Sequence, residues 1–166
     1  NDEYVLESLR RYKENTKNIV YIDLVNQIEK PPHVNCDLIK KAPIGCGSEG
    51  LSGIEFDSKT SWRWALGPKT KITFWDDGTS PVNLYYSFLN PWPFKLGLNI
   101  SINGEKVKNL IVSGREKITD LYSLQPGVGM NVLEFEYSEW NHKSGRKGTG
   151  DPRTLSVPFE QLKISK

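Results

Sequence analysis

Hydrophobic and polar positions follow two different periods along the chain. Near the amino terminus, Val5, Leu9 and Tyr12 recur with the i, i+4, i+7 spacing of one helix face. Asp2 precedes them as a suitable N-cap. The pattern therefore predicts an amphipathic helix over residues 3–16.

The segment that follows changes to a period of two. Apolar and polar residues alternate over residues 20–24, which predicts a half-buried strand. Pro31 and Pro32 then end regular structure, because proline cannot continue a strand ladder or a helix. We expect residues 1–38 to form a preface that packs on the domain after it.

From Ile39 onward the sequence consists of short runs rich in β-branched and aromatic residues, bounded by Gly, Pro, Asn or Asp. The runs are LSGIEFD, TSWRWAL, TKITFWD, VNLYYSFL, LGLNISI, EKVKNLIV, EKITDLYSL, MNVLEFEYS and TLSVPFEQLKI. Asn103-Gly104 between two of them is a strong signal for a two-residue hairpin. The spacing predicts a mainly β fold, a jelly-roll-like antiparallel β-sandwich of about eight or nine strands over residues 39–166, with the N-terminal helix packed on it.

Composition narrows the possible partners. A chain of 166 residues, 37% hydrophobic and 25% charged, is long enough to bury a core. The net charge of +2 is too small to indicate nucleic acid as a partner. Tryptophan is enriched, with five residues. Such enrichment is typical of a β-sandwich core, of a stacking surface, or of both.

Two cysteines, Cys36 and Cys46, lie ten positions apart. They form either a disulfide, which would place the domain in an oxidising compartment, or two free thiols. A zinc site would have to add His33 and His142, and the spacing matches no standard zinc pattern. We therefore expect no metal site.

Signatures of catalysis are weak. The stretch GCGSEG mimics a dinucleotide-binding motif but opens no apparent helix, and no G-x-S-x-G occurs. Asp76 and Asp77 could act as paired carboxylates in glycoside chemistry. Their context, WDDGTSP, favours a tight turn instead. We expect a non-enzymatic domain with no catalytic residues and no cofactor.

Trp62 and Trp64 flank Arg63 in SWRWALG, so in a strand both indoles point to one face. That face is either the sandwich core or a platform on which sugar rings stack. We expect the core, with Arg63 on the opposite face in a structural network with Asp151. Arg153, in the same DPR stretch, is expected to join that network.

Other residues are the expected ligand contacts. Trp92 stands between two prolines, which hinder burial in a ladder. Trp140 lies at the end of a strand, next to a basic loop that contains His142 and Arg146. We expect these four residues to contact a ligand. The alternative for the basic loop is a solvated segment between the last two strands.

Four segments in order carry a resemblance to a known module. They are Arg63-Trp64, Asn103-Gly104, the stretch from Asn131 to Phe135, and the stretch from Asp151 to Leu155. Residues 45–165 thereby resemble the C-terminal β-sandwich module of bacterial envelope glycosyltransferases and phosphoglycerol-transferase-like membrane proteins. The resemblance implies an extracytoplasmic sandwich, periplasmic or at the cell surface, attached to a membrane-embedded remainder of the same chain. It implies no catalytic residue in this domain.

The leading hypothesis is a non-catalytic, glycan-contacting accessory module of a larger bacterial envelope protein. A start at Asn1 without methionine is consistent with a piece of a longer chain. Two alternatives stay open: a structural or protein-interaction module without a small ligand, and a small glycan hydrolase or lyase. Exposed aromatic residues clustered on one sheet face would favour the first hypothesis.

Overall fold

The computed structural model describes residues 34–40, 46–143 and 150–166. Across these ranges it contains eleven strands and no helix. The predicted helix over residues 3–16 and the predicted strand over residues 20–24 lie outside them. The described residues also contain no helix long and apolar enough to cross a membrane.

The strands, in chain order, are β1 (Asn35–Asp37), β2 (Cys46–Glu49), β3 (Glu55–Phe56), β4 (Ser61–Leu66), β5 (Lys69–Asp76), β6 (Val82–Leu89), β7 (Leu96–Ile102), β8 (Glu105–Val112), β9 (Lys117–Leu124), β10 (Gly129–Tyr137) and β11 (Leu155–Ser165). All pairings among them are antiparallel.

The strands form two sheets that make an antiparallel sandwich. Sheet 1 has the order β3-β4-β11-β6-β9, with β1 paired to the carboxyl-terminal end of β11. Sheet 2 has the order β2-β5-β10-β7-β8. The predicted mainly β antiparallel sandwich is confirmed, and each of the nine predicted runs overlaps one of the strands β3 to β11.

The core lies between the sheets because each long strand alternates buried and exposed residues. In β10, Leu133, Phe135 and Tyr137 are buried, while the exposed face carries Glu134 and Glu136. The same alternation buries four residues each in β6 and β7. Rings from both sheets meet edge to face, with centroids 5.5–6.1 Å apart, at Tyr86, Phe88, Phe135 and Phe159.

Two turns form as their residue types predict. Asn103 and Gly104 have φ values of 52° and 83°, which suit a two-residue hairpin between β7 and β8. At the end of β5, the Asp76 and Asp77 carboxylates accept the backbone N–H groups of Gly78 and Thr79, at 2.7 and 3.1 Å. This pair therefore caps a turn, as the sequence indicates.

Two short strands, β1 and β2, were not predicted, and a disulfide joins them. Cys36 lies in β1 on sheet 1, and Cys46 begins β2 on sheet 2. The bond therefore joins the two sheets. The sequence left open a disulfide or two free thiols, and the structure contains the disulfide. Because β1 pairs with β11, the sandwich includes residues on the amino-terminal side of the expected boundary at residue 38.

Candidate functional site

A pocket of about 590 Å³ lies on the outer face of sheet 1. Its volume falls within the range of about 300–1,000 Å³ that is typical of small-molecule sites. The residues lining it are Glu55, Thr60, Trp62, Trp64, Leu89, Pro91, Trp92, Asp151, Arg153, Leu155, Pro158 and Glu160. We call it the tryptophan pocket, because three of the five tryptophans of the chain lie in it.

The outer faces of neighbouring strands form the floor of the pocket. In the strand register, Trp64 on β4 lies opposite Pro158 on β11, and Trp62 lies opposite Glu55 on β3. The pairing of β11 with β4 shifts between Leu155 and Pro158, which accommodates a residue that cannot donate to the ladder. The floor is thus aromatic, with an acidic group at its edge.

The prediction that Trp62 and Trp64 belong to the core is wrong. Both indoles are half-buried and line the pocket, whereas Ala65, which points to the other face of β4, is completely buried. The pattern of β4 is misleading because its large apolar residues point outward. Ala65, a small side chain, is the one buried residue of β4.

Part of the outer face of sheet 2 is charged instead. There Lys69 and Lys71 on β5 form cross-strand ion pairs with Glu136 and Glu134 on β10, at 3.6 and 3.7 Å. An exposed sheet face normally carries such polar residues. An aromatic floor on sheet 1 therefore marks a surface suited to a ligand.

One wall of the pocket is the turn between β6 and β7. The buried Asn90 accepts the N–H of Trp92 at 3.1 Å and donates to the carbonyl of Phe94 at 2.8 Å. The Trp92 indole N–H donates to the Ser156 carbonyl at 2.7 Å, and its ring stacks on Phe94 with centroids 6.0 Å apart. The indole is therefore fixed in place, as a pre-organised binding surface requires. The structure places Trp92 in a pocket, where the sequence suggested a ligand contact.

The opposite wall is an ion-pair arm centred on Arg153. Its Nε donates to the Asp151 carboxylate at 3.0 Å, its Nη2 donates to the same carboxylate at 2.7 Å, and its Nη1 donates to Glu55. The hydrogen bonds from the Arg153 side chain and backbone lower the pKa of Asp151 to about 2. The same bonds to Asp151 and then Glu55 raise the pKa of the guanidinium. Asp151 and Arg153 therefore carry opposite charges at neutral pH.

A third carboxylate completes the polar rim. Glu160 on β11 accepts a hydrogen bond from the Lys117 ammonium group of β9 at 2.7 Å. Neither Glu55 nor Glu160 was predicted as a site residue. The signal that could have found them is the register, because only pairing with β4 places Glu55 opposite Trp62.

The predicted network of Arg63 with Asp151 is wrong. The Arg63 Nε donates to the Ser52 carbonyl at 2.7 Å, and its Nη1 donates to the Leu38 carbonyl at 3.1 Å. Burial lowers the pKa of this guanidinium. Asp151 instead pairs with Arg153, two residues away. Arg63 is therefore structural, as predicted, but through backbone carbonyls and on the opposite face of β4 from the pocket.

The other expected ligand contacts are not brought to the tryptophan pocket. Trp140 lines a separate pocket of about 500 Å³ on sheet 2, with Asn99 and Lys143 among its other lining residues. Its ring lies against Gly67, and the Lys143 ammonium group is 5.3 Å from the ring centroid. His142 contacts the backbone carbonyl of Asp151 through Nε2. Arg146 lies outside the described residues.

The chemistry available in the tryptophan pocket is that of binding. Flat indoles offer stacking surfaces, and the ion-paired carboxylates of the rim accept hydrogen bonds from hydroxyl groups. A depressed pKa makes Asp151 unsuited to donate a proton near neutral pH. Within the described residues, no group of three or more His, Cys, Asp or Glu side chains could hold a metal ion.

Comparisons with known proteins give no family and no curated relative: no protein-family profile and no curated protein matches the sequence. Several solved structures are similar in fold. The CBM36-1 domain of a multidomain xylanase from the hindgut metagenome of Trinervitermes trinervoides is 13% identical, with a TM-score of 0.46, covering 81% of this chain and 96% of that domain.

Two further solved structures are similar to the chain. A family 35 carbohydrate-binding module from Clostridium thermocellum is 13% identical, with a TM-score of 0.45, covering 75% of this chain and 100% of that module. An exo-β-1,3-galactanase from Phanerochaete chrysosporium, solved with β-1,3-galactotriose, is 15% identical, with a TM-score of 0.41. The match covers 80% of this chain and 29% of that enzyme. The evidence for a ligand comes from the pocket itself.

Proposed function

We propose that this domain is a non-catalytic carbohydrate-binding module whose ligand site is the tryptophan pocket. Sugar rings would stack their C–H faces on Trp62 and Trp64, with Trp92 as the side wall. The carboxylates of Asp151 and Glu55 would accept hydrogen bonds from the ring hydroxyls. A pocket of this composition combines apolar walls with a few convergent polar groups, which is the usual design of a small-molecule site.

The observation that carries the proposal is the placement of two indoles on an outer sheet face, with a third from the β6–β7 turn beside them. Burying them in the core would have lowered the free energy by about 1.5–3 kcal/mol for each large apolar side chain. In the fold, Ala65 is buried in the core instead, and Trp62 and Trp64 stay half-buried. A rigid aromatic surface of this kind binds at a low conformational-entropy cost.

A protein-interaction surface without a small ligand is the weaker alternative. The Trp92 turn, the Arg153 arm and the β4 tryptophans line one pocket of about 590 Å³, a volume that suits a small ligand. A protein partner would have to insert a side chain to fill it. A hydrolase is also weaker, because Arg153 binds both Asp151 and Glu55 and keeps Asp151 ionised.

For the cellular setting, we propose an extracytoplasmic location, as an accessory part of a bacterial envelope protein whose remainder is embedded in the membrane. The Cys36–Cys46 disulfide supports an oxidising compartment. The resemblance of residues 45–165 to the envelope glycosyltransferase module supports the bacterial envelope as that compartment.

The experiment first screens the chain for binding on an array of neutral oligosaccharides. The best ligands are then titrated against the chain, with intrinsic tryptophan fluorescence as the readout. Trp64→Ala removes half of the stacking floor and should weaken binding by about tenfold or more, since base and ring stacking on aromatic groups is worth roughly 1–3 kcal/mol. Trp75→Ala is the matched control, because Trp75 is also half-buried but lies on sheet 2.

The proposal fails if no oligosaccharide binds the unmodified chain. It also fails if Trp75→Ala weakens binding as much as Trp64→Ala does while both variants melt at the parent temperature. That result would place the ligand away from the tryptophan pocket.

A further inference from the structure

The charges that line the tryptophan pocket are unequal. Three carboxylates, those of Glu55, Asp151 and Glu160, face one guanidinium, that of Arg153. A ligand that enters the pocket therefore meets an excess of negative charge. The Lys117 ammonium group that pairs with Glu160 compensates one of these charges from β9, outside the lining of the pocket.

The single cation in the lining already donates three of its five N–H groups to carboxylates, so fewer donors remain for an anionic ligand. A guanidinium recognises a carboxylate best through two parallel N–H donors. The Nε and Nη2 groups of Arg153 already donate to Asp151, and Nη1 donates to Glu55. A carboxylate or sulfate on a sugar would have to displace Asp151 to use the paired Nε and Nη2 donors, and it would leave Asp151 without its cation.

The aromatic floor adds to the same preference. An ammonium group near an indole face gains a cation–π attraction, and tryptophan is the strongest of the aromatic residues in this respect. Trp62, Trp64 and Trp92 surround the space that the three carboxylates border. Indoles and carboxylates together are the surroundings that a positively charged amine finds favourable.

We propose that the tryptophan pocket selects sugars by charge, and that its preferred ligand is an amino sugar with a free ammonium group. This inference rests on the proposed function, since it names the sugar class that the same pocket binds. Neutral sugars bind more weakly through stacking and hydroxyl contacts alone. Uronic acids and sulfated sugars are disfavoured, because the rim repels them and Arg153 is already occupied.

The test uses four β-1,4-linked tetrasaccharides that differ in one substituent: glucosamine, N-acetylglucosamine, glucose and glucuronic acid. Each is titrated against the full chain at low and at high salt. We expect the glucosamine tetramer to bind about fivefold more tightly than the glucose tetramer at low salt, the size of one exposed ion pair. The difference should shrink in high salt, because salt screens exposed charges. The N-acetylglucosamine tetramer should behave like a neutral ligand.

A variant tests the role of the rim. Glu160→Gln removes one negative charge and leaves the Arg153 arm intact, so the preference for the glucosamine tetramer over the glucose tetramer should fall severalfold. Glu105→Gln is the control, since Glu105 is an exposed carboxylate on β8 of sheet 2. Melting curves of both variants confirm that they fold.

The outcomes separate the two proposals. Equal binding of the glucosamine and glucose tetramers, or tighter binding of the glucuronic acid tetramer, overturns charge selection and leaves carbohydrate binding intact. If Glu105→Gln reduces the preference as much as Glu160→Gln does, the selecting charge is not in the pocket, and the inference also fails. Failure of all neutral and charged sugars to bind overturns the proposed function itself.

Discussion

At the scale of single residues, the two faces of β4 have different roles, one in the ligand pocket and one in the structure of sheet 1. Trp62 and Trp64 face the ligand pocket, whereas Arg63 and Ala65 face the interior side of sheet 1. A charged group on the interior side is tolerated because it donates to carbonyl groups that would otherwise need other partners. Arg63 thereby links the Ser52 and Leu38 segments to β4.

We expect Arg63→Ala to lower the free energy of unfolding by about 1–3 kcal/mol, because it leaves two partly buried carbonyls without their donor. Urea unfolding at fixed pH measures this change. Lys106→Ala, at an exposed position on β8, should leave the urea midpoint within error of the parent. Equal midpoints for Arg63→Ala and the parent would show that the Arg63 hydrogen bonds contribute nothing net.

A second prediction at this scale concerns acid. Arg153 holds the pKa of Asp151 at about 2 in the folded state, below the value of about 3.9 of an unperturbed Asp. The ion pair is therefore fully present above about pH 4, and it is lost as the pH falls toward 2. Oligosaccharide affinity should accordingly fall between pH 4 and pH 2.

The matched variant for this measurement is Asp151→Asn. It cannot titrate, so its affinity should already be reduced at pH 7 and should change less between pH 4 and pH 2 than that of the parent. An Asp151→Asn variant with the full acid dependence of the parent would assign the effect to another group.

The sequence predicted which residues of β4 share a face but not which face is inside. Alternation sets only the relative orientation of neighbouring side chains. Choosing the buried face by hydrophobicity selects Trp62 and Trp64, because Arg63 is charged and Ala65 is small. In the structure the face with Arg63 points inward instead, because Arg63 donates hydrogen bonds to the Ser52 and Leu38 carbonyls. These acceptors lie 11 and 25 residues away in the sequence.

At the scale of elements, the long strands follow from local pattern, whereas the short ones depend on tertiary contacts. The strands β5 to β11 have seven to eleven residues each, and their alternation is visible in the sequence. The strands β1 and β2 have three and four residues, and these include asparagine, aspartate, glycine and glutamate, which are depleted in strands. The strands β1 and β2 form because each pairs with an edge of a longer strand, β11 and β5 respectively. The disulfide between Cys36 and Cys46 also links β1 to β2.

Replacing both cysteines by serine should lower the free energy of unfolding by about 2–3 kcal/mol, the chain-entropy value for a loop of this length. The loop spans ten residues of sequence separation. Thermal melting with and without reductant measures the effect. The parent should melt lower in reductant, and the Cys36→Ser, Cys46→Ser variant should not respond to it. A parent that melts at the same temperature in both conditions would contradict a stabilising role.

At the scale of the whole molecule, the tryptophan pocket exists only when distant parts of the chain are assembled. Glu55 and the β4 tryptophans come from one segment, Trp92 from the β6–β7 turn, and Arg153 from the segment before β11. They meet because β11, the last strand, lies between β4 and β6 in sheet 1. Strand order of this kind cannot be derived from period-2 patterns, so the sequence could not place Glu55 next to Arg153.

Because the pocket joins these segments, an occupied pocket should stabilise the entire sandwich. A ligand present at 100 times its Kd adds about 2.7 kcal/mol to the free energy of unfolding. For a domain of this size we expect the Tm to rise by about 5–15 °C. Differential scanning calorimetry with the best oligosaccharide measures the shift. The Trp64→Ala variant at the same ligand concentration should show a smaller shift, and an equal shift would place binding elsewhere.

The pairing of β1 with β11 also determines how the domain would respond to a pulling force. Asn35 lies opposite Ser165, and the Lys166 N–H donates to the Val34 carbonyl at 3.3 Å, so these two ends of the sandwich leave it side by side. Tension applied at residues 34 and 166 would open β1 from β11 one rung at a time, like a zipper. Opening would reach Cys36 at the second rung, where the covalent bond to Cys46 would transfer the load to sheet 2. The disulfide would then act as a mechanical stop that keeps the segment between Cys36 and Cys46 from being extended.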